Sequence, residues 1–124
     1  MQKGSVKDLD NLIGIDPLVK IFCDLISFDT TADGTSKSVP SSVGQLRFGA
    51  HLVSLINAIG YEAVQDEHGV VTVRIAASEG CENVKSLCLL AHMDTAPDSS
   101  GSNIRAMLVK AYNGEGIELE NGLI

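Results

Sequence analysis

The stretch Ser86–Gly101, SLCLLAHMDTAPDSSG, determines the predicted fold and carries the predicted site. It begins with the apolar run Leu87 to Ala91, followed by turn-forming residues, a pattern typical of a buried strand in a sheet covered on both faces. Side chains two positions apart leave a strand on the same side, so His92 and Asp94 are expected to point together. Sites in open α/β sheets lie at the carboxyl ends of such strands.

The chemistry of this pair allows two interpretations. An imidazole can bind a metal through one ring nitrogen, and a neighbouring carboxylate can orient the ring. His-x-Asp alone is nevertheless a weak signal, because a loop histidine beside a capping aspartate has the same spacing. On His92 and Asp94 by themselves, both interpretations stay open.

Length and composition indicate one domain that is large enough to bury a core. The chain has 124 residues, 44% of them hydrophobic, which suits a single globular domain. It has no apolar run long enough to cross a membrane and no basic start leading into an apolar segment, so we expect no membrane partner and a cytoplasmic location. We predict that the three cysteines are reduced and that Cys88 is buried in its strand.

The charge of the chain argues against nucleic acid as a partner. Sixteen acidic and nine basic residues give a formal net charge of −7, and lysine and arginine do not cluster. Because phosphate binding needs a basic footprint, we expect no nucleic-acid partner.

The first half of the chain predicts an extension, two helices and a long loop. Residues 1–15 are expected to form a loosely held extension, after which Asp16-Pro17 starts a helix that runs to about Ser27. Residues 28–41 are rich in Thr, Ser, Asp and Gly and predict a loop, either functional or simply flexible. A second helix begins at Ser41 or Ser42, with Gln45 placed for a capping box, and ends before Gly60.

The second half predicts strands. Residues 61–65 and 70–75 indicate a hairpin with its turn at 66–69, and the strand of residues 86–91 and a further strand at 107–112 follow. The order of elements predicts an α/β fold with a mixed sheet flanked by helices. His51 is expected to be a surface or hydrogen-bonded helix residue, and His68 a turn residue.

Several segments together resemble the peptidase T family. Members of this family are tripeptide aminopeptidases and belong to the co-catalytic zinc exopeptidases. The similarity spans about Asp16 to Gly122, and its motifs are LISFDTTAD, VPSSVGQ, AIGY, AHMDTAPDSSG and AYNGEGIELENG. The continuation of His-x-Asp into Thr-Ala-Pro-Asp-x-Ser-Gly is far more specific than the pair alone. By this resemblance, residues 16–124 would be the N-terminal portion of a zinc-peptidase catalytic domain.

The resemblance also implies roles for two residues. His92 would be a ligand of one of two zinc ions, and Asp94 would orient it as a catalytic residue without binding metal itself. The complete enzyme would remove the N-terminal residue of a short peptide, with a glutamate as general base.

The chain departs from the family in the ligands that it lacks. The family takes its bridging aspartate, its glutamate base and its other ligands from downstream segments, and we find neither a Gly-x-Asp-Asp stretch nor a Glu-Glu pair in this sequence. The remaining carboxylates of this region are predicted to be solvated: Asp98, Glu115, Glu118 and Glu120. We therefore expect an incomplete, inactive portion of an aminopeptidase.

The alternative is a stand-alone, non-catalytic α/β domain or interaction module derived from a truncated peptidase. For both hypotheses we expect an exposed sheet edge, through which the chain would self-associate.

Overall fold

The computed structural model describes residues 2–119, with side chains from residue 4 onward. The elements in chain order are β1 (Gln2–Lys3), α1 (Val6–Ile15), α2 (Pro17–Ile26), α3 (Val43–Ala58), β2 (Ala63–Gln65), β3 (Val71–Val73) and β4 (Val109–Lys110). They belong to two compact units: the described parts of Met1–Asp24 and Ile104–Ile124 form one, and Leu25–Asn103 forms the other. The chain thus combines helices and strands, as predicted at the level of class. None of the described helices is long and apolar enough to cross a membrane.

The N-terminal segment contains a capped helix, so the prediction of a loosely held extension over residues 1–15 is wrong in its secondary structure. Ser5 and Asp8 form a capping box at the start of α1: the Asp8 amide donates to Ser5 Oγ at 3.2 Å, and the Ser5 amide donates to Asp8 Oδ2 at 2.9 Å. This exchange satisfies amides that the first helical turn leaves without partners. In the same unit, β1 pairs antiparallel with β4.

Asp8 also joins the start of α1 to β4, which predicts a pH dependence. Lys110 Nζ lies 2.7 Å from Asp8 Oδ1, and this hydrogen bond, with those from Ser5, lowers the pKa of the Asp8 carboxyl from 3.8 to about 2. Because the folded-state pKa is depressed, the contact stabilises the fold fully above pH 4 and is lost as the pH falls through about 2. Carboxyl ¹³C titration should show this low pKa, and Lys110→Met should raise it; an unchanged value in the variant would contradict the assignment.

The second helix, α2, agrees with its prediction. Asp16 Oδ1 accepts hydrogen bonds from the amides of Leu18 at 2.9 Å and Val19 at 3.4 Å, and Pro17 occupies the first helical position, where no amide is needed. The following residues 28–41 form the predicted loop.

The third helix, α3, begins after Ser42 as predicted, but without the expected capping box. Among the described residues, Ser42 makes no side-chain capping bond and its Oγ is buried without a partner. The Gln45 side chain, which is buried, reaches instead to the Thr30 carbonyl oxygen at 3.2 Å and to Ser41 Oγ at 3.1 Å. The Gln45 side chain thus donates to a carbonyl oxygen 15 residues away, whereas a capping box would have it accept from the Ser42 amide. The helix ends before Gly60, which adopts a φ of +92°, the left-handed conformation expected there.

The hairpin is confirmed. The strands β2 and β3 pair antiparallel with Val64 opposite Thr72. The Asp66 carboxylate closes the turn by accepting from the amides of His68 at 2.9 Å and Val70 at 2.8 Å. Gly69 supplies the positive φ of +83° that the turn needs.

The predicted central strand at residues 86–91 is absent. The segment is not paired with another strand, and it makes no backbone hydrogen bond within the described part of the chain. Leu87, Leu89 and Leu90 are 84%, 85% and 93% exposed, and Cys88 is exposed instead of buried. An apolar run becomes a buried strand only where neighbouring strands and a covering layer receive it, and the hairpin of β2 and β3 does not pair with it.

The predicted mixed sheet is accordingly replaced by two separate antiparallel pairs, β1 with β4 and β2 with β3. The predicted strand at residues 107–112 is reduced to Val109–Lys110. Self-association of the chain stays a prediction, and the exposed leucines of residues 86–91 are apolar surface that such contact would bury.

The core of the second unit lies between α3 and the hairpin. Ala63 is its buried hydrophobic residue at 5% exposure, and the Ala63 amide donates to Asn57 Oδ1 of α3 at 2.9 Å. The Phe28 ring packs edge-on against Phe48, with ring centroids 5.6 Å apart. The Phe28–Phe48 packing and the Gln45–Thr30 hydrogen bond hold the segment of residues 28–32 against α3, and this segment contacts the site described next.

Candidate metal-binding site

The structure brings His92 and Asp94 together, as their spacing predicts. Nδ1 of His92 lies 2.8 Å from the Asp94 carbonyl oxygen and 3.2 Å from Asp94 Oδ1. A carbonyl oxygen can only accept, so Nδ1 carries the proton and donates to it. In the neutral ring, Nε2 is then the unprotonated nitrogen, which is the form that binds a metal.

The ring fits one ligand position of a metal ion. Its side chain is 85% exposed, and its described contacts use Nδ1 alone, so Nε2 is accessible. A catalytic zinc site needs about three protein ligands, and within residues 2–119 no group of three His, Cys, Asp or Glu side chains is placed to hold a metal. Among the described residues, His92 is thus a single candidate ligand with the Asp94 carboxylate beside it, and the two do not make a whole metal site.

The other two histidines make no described hydrogen bond or ion pair with His92. His51 is half-buried on α3, and its ring packs at a tilt against Phe28 with ring centroids 4.9 Å apart. Its Nε2 is buried without a hydrogen-bond partner in the part of the chain that the structure describes, so His51 is neither an exposed nor a fully hydrogen-bonded residue. His68 is an exposed turn residue, as predicted, with Nε2 3.8 Å from Glu67 Oε1.

An open cleft of about 420 Å³ adjoins the pair. Its lining is largely apolar, and His92, Asp94 and His68 belong to it; the apolar lining residues are Val39, Pro40, Val70, Val71, Leu89, Leu90, Ala91 and Met93. An apolar lining with a few polar groups is typical of a cleft that binds a small ligand.

The beginning of the 28–41 loop is bound to the loop that carries the pair. Thr31 and Thr95 form a parallel bridge, and the Ser102 hydroxyl donates to Asp29 Oδ2 at 2.5 Å. The Gly101 amide donates to Thr31 Oγ1 at 3.0 Å. We call Asp29, Thr31, Gly101 and Ser102 the Asp29 cluster. Sequence reasoning missed it: an aspartate two residues before a threonine signals a local turn, but nothing local indicates the contact with residues 101 and 102.

The electrostatics of the cluster favour its ionised form. Hydrogen bonds from Ser102, then from the Thr31 hydroxyl and amide, lower the pKa of the Asp29 carboxyl below its usual range. Asp33, in the same loop, has its pKa lowered by the Thr35 hydroxyl and amide. Both carboxylates are therefore charged at neutral pH, when their hydrogen bonds are strongest.

The other carboxylates of the region are solvated, as predicted. Asp98, Glu115 and Glu118 are exposed, and Glu120 lies outside the described residues. Within the described part of the second unit, Asp98 does not join His92 in a metal-holding group.

Comparison with known proteins gives one consistent answer. No protein-family model matches the chain. Peptidase T of Shewanella pealeana is 39% identical over 103 residues, which is 82% of this chain and 25% of that protein. Peptidase T of Clostridium acetobutylicum is 37% identical over 106 residues, and that of Edwardsiella ictaluri is 39% identical over 106 residues, each match covering 85% of this chain and 26% of the relative.

The chain spans about a quarter of the length of the curated relatives that it matches. An identity of this level over 82–85% of the chain is not a coincidence of one short motif. The chain is therefore similar to peptidase T over more than four fifths of its own length, and the resemblance indicated by its motifs is confirmed.

Proposed function

We propose that the chain is the part of a peptidase T-like metallo-aminopeptidase that provides one zinc ligand, His92, and its orienting carboxylate, Asp94. The observation that carries this proposal is the donation from His92 Nδ1 to Asp94, which leaves the metal-binding nitrogen accessible. The similarity to peptidase T over 82–85% of the chain supports it independently. A cytoplasmic location is part of the same proposal.

The residues of this chain have defined tasks in that function. Asp94 holds the His92 ring in one orientation and in the tautomer protonated at Nδ1, so no reorganisation of the ring is needed when a ligand binds at Nε2. A bound zinc ion would polarise the scissile carbonyl and lower the pKa of a water molecule. The described residues contribute one of its ligands, and we propose that the remaining ligands and the general base come from other segments of the complete enzyme.

The similarity to peptidase T and the lining of the cleft support a proposal for the substrate class. We propose short peptides with a free amino terminus, tripeptides among them. The apolar walls beside His92 would receive one side chain of the peptide and exclude water from it. The acidic balance of the chain, −7, favours a positively charged amino terminus over an acidic ligand.

A chimera tests this proposal. The residues of this chain would replace the matching 103 residues of the Shewanella pealeana peptidase T, and hydrolysis of tripeptides would be measured with and without zinc after treatment with a chelator. We expect a folded chimera whose tripeptide hydrolysis is restored by zinc. Circular dichroism and thermal unfolding would confirm folding.

The same experiment addresses the non-catalytic alternative. A chimera that folds as well as the parent enzyme, binds zinc at the parent's level and yet lacks turnover would mean that this segment has lost its catalytic competence. A chimera with zinc-dependent turnover would exclude that alternative for the segment.

A further inference from the structure

The loop that carries His92 and Asp94 has few contacts of its own. Residues 86–91 before it belong to no helix or strand and lack backbone hydrogen bonds within the described chain, and the His92 side chain is 85% exposed. Its described ring contacts are with Asp94. What fixes the pair in space must therefore act from the carboxyl-terminal side, through Thr95 and the residues that follow.

Two attachments act from that side. The Thr95 amide donates to the Thr30 carbonyl oxygen at 3.2 Å, and the Ala32 amide donates to the Thr95 carbonyl oxygen at 2.9 Å. Six residues later, the Gly101 amide donates to Thr31 Oγ1 at 3.0 Å. Residues 95–101, which directly follow the pair, are thus tied at both ends to one short segment, residues 30–32.

Asp29 organises the second attachment. Its Oδ1 accepts from the Thr31 hydroxyl at 2.6 Å and from the Thr31 amide at 3.1 Å, which turns the lone pairs of Thr31 Oγ1 toward the Gly101 amide. Its Oδ2 accepts from the Ser102 hydroxyl at 2.5 Å. Both carboxylate oxygens are therefore used, one within the segment and one across to the loop.

The packing at Gly101 shows how closely the loop approaches. A Cβ at this position would lie 2.7 Å from both Asp29 Oδ1 and Thr31 Oγ1, so only glycine allows this contact. On the other side, the buried amide of Gln45 donates to the Thr30 carbonyl oxygen. The connection therefore runs from α3 through residues 29–32 to the loop.

We propose that Asp29 is a positioning residue for His92 and Asp94, acting through Thr31 and Ser102 on the loop that carries the pair. This inference rests on the proposed function for its catalytic meaning. It assigns a role to the beginning of the 28–41 loop, which holds the metal-binding loop in place.

The chain contains a matched control, Asp33. Its Oδ1 accepts from the Thr35 hydroxyl at 2.6 Å and from the Thr35 amide at 2.9 Å, the same local pattern as at Asp29. The described hydrogen bonds of the Asp33 carboxylate do not reach residues 92–102. Asp29→Ala and Asp33→Ala therefore each remove a local turn of the same kind. Only Asp29→Ala also removes a hydrogen bond to the loop of residues 92–102.

The test uses the metal-free, full-length chain labelled with ¹⁵N. Hydrogen exchange of the Gly101 amide reports the attachment, and the ring ¹⁵N shifts of His92 report its hydrogen bond to Asp94. In Asp29→Ala we expect the Gly101 amide to exchange about tenfold faster or more, and the His92 shifts to move toward those of a free, tautomerically mixed histidine. Asp33→Ala should leave both unchanged, and the amides of β2 and β3 should stay protected in both variants.

Other outcomes would overturn the proposal. If Asp29→Ala and Asp33→Ala behave alike, Asp29 has no special role. If Gly101 exchange accelerates while the His92 shifts stay fixed, the cluster is a structural contact that does not position the pair.

If Asp29→Ala unfolds the second unit, two substitutions of Thr31 test the proposal instead. Thr31→Ser keeps the hydroxyl and should preserve both readouts, whereas Thr31→Val should lose both; equal behaviour of these two variants would refute the proposal. These measurements involve neither metal nor turnover. A negative result would therefore refute the role of Asp29 without refuting the proposed function, and an inactive chimera would refute the proposed function without refuting the role of Asp29.

Discussion

Replacing His92 by alanine in the chimeric peptidase is expected to lower zinc-dependent tripeptide hydrolysis by about a thousandfold or more. Metal catalysis contributes several kcal/mol to the rate, and each 1.36 kcal/mol is a factor of ten. Loss of the ligand nitrogen Nε2 would remove one of about three protein ligands of a catalytic site. Steady-state kinetics with a tripeptide, together with zinc content after dialysis, would measure both losses.

Asp94 should have a smaller effect of a different kind. Asp94→Asn keeps an oxygen that can accept from His92 Nδ1 and removes the negative charge, and replacing such an orienting carboxylate typically costs about 10- to 100-fold in metal affinity or activity. Glu79→Gln makes the same change of charge at an exposed position and should leave the rate unchanged. If His92→Ala retained the turnover of the unsubstituted chimera, the assignment of His92 as a ligand would be wrong.

Gly44→Ala is expected to destabilise the second unit by about 1–3 kcal/mol. Gly44 lies in the first turn of α3, and a Cβ there would overlap the carbonyl oxygen of Asp29. Since that oxygen belongs to the backbone, relief requires residues 28–32 to move away from the helix. Urea unfolding followed at the amide signals of β2 and β3 would measure the loss.

Gly14 provides the opposite case on a helix of the other unit. It lies in α1, and a Cβ at this position would meet nothing within 4 Å. Because glycine weakens a helix interior relative to alanine, Gly14→Ala should stabilise α1 by about 0.5–1 kcal/mol.

Equal urea midpoints for Gly44→Ala and the unsubstituted chain would show that residues 28–32 accommodate the extra methyl group without cost.

Local sequence patterns predicted those elements whose stability is local. The helix from Pro17 follows from Asp16 as its N-cap, and the hairpin turn follows from Asp66 and Gly69, because the groups that satisfy these amides lie within four residues of them. The His92–Asp94 contact is of the same kind, since its partners are two residues apart. Such contacts depend on backbone geometry that nearby residues set.

Two failures of prediction have a common cause. The sequence predicts a buried strand at residues 86–91 and a capping role for Gln45 at the start of α3. Each prediction requires a particular partner, a neighbouring strand in the first case and the Ser42 amide in the second, and the tertiary structure determines whether that partner is used. An apolar run indicates that a segment can be buried, but whether it pairs as a strand depends on which strands lie beside it. For Gln45, the Thr30 carbonyl oxygen is the acceptor that it reaches in the fold.

By itself, the sequence determined the helix of residues 17–26, the hairpin, the proximity of His92 to Asp94 and the similarity to peptidase T. Only the tertiary structure decided that residues 86–91 are exposed and that Asp29 meets Ser102, because these depend on contacts between segments far apart in the chain. A hydrogen bond across 73 residues leaves no local pattern. It forms where folding brings a carboxylate and a hydroxyl within 2.5 Å of each other.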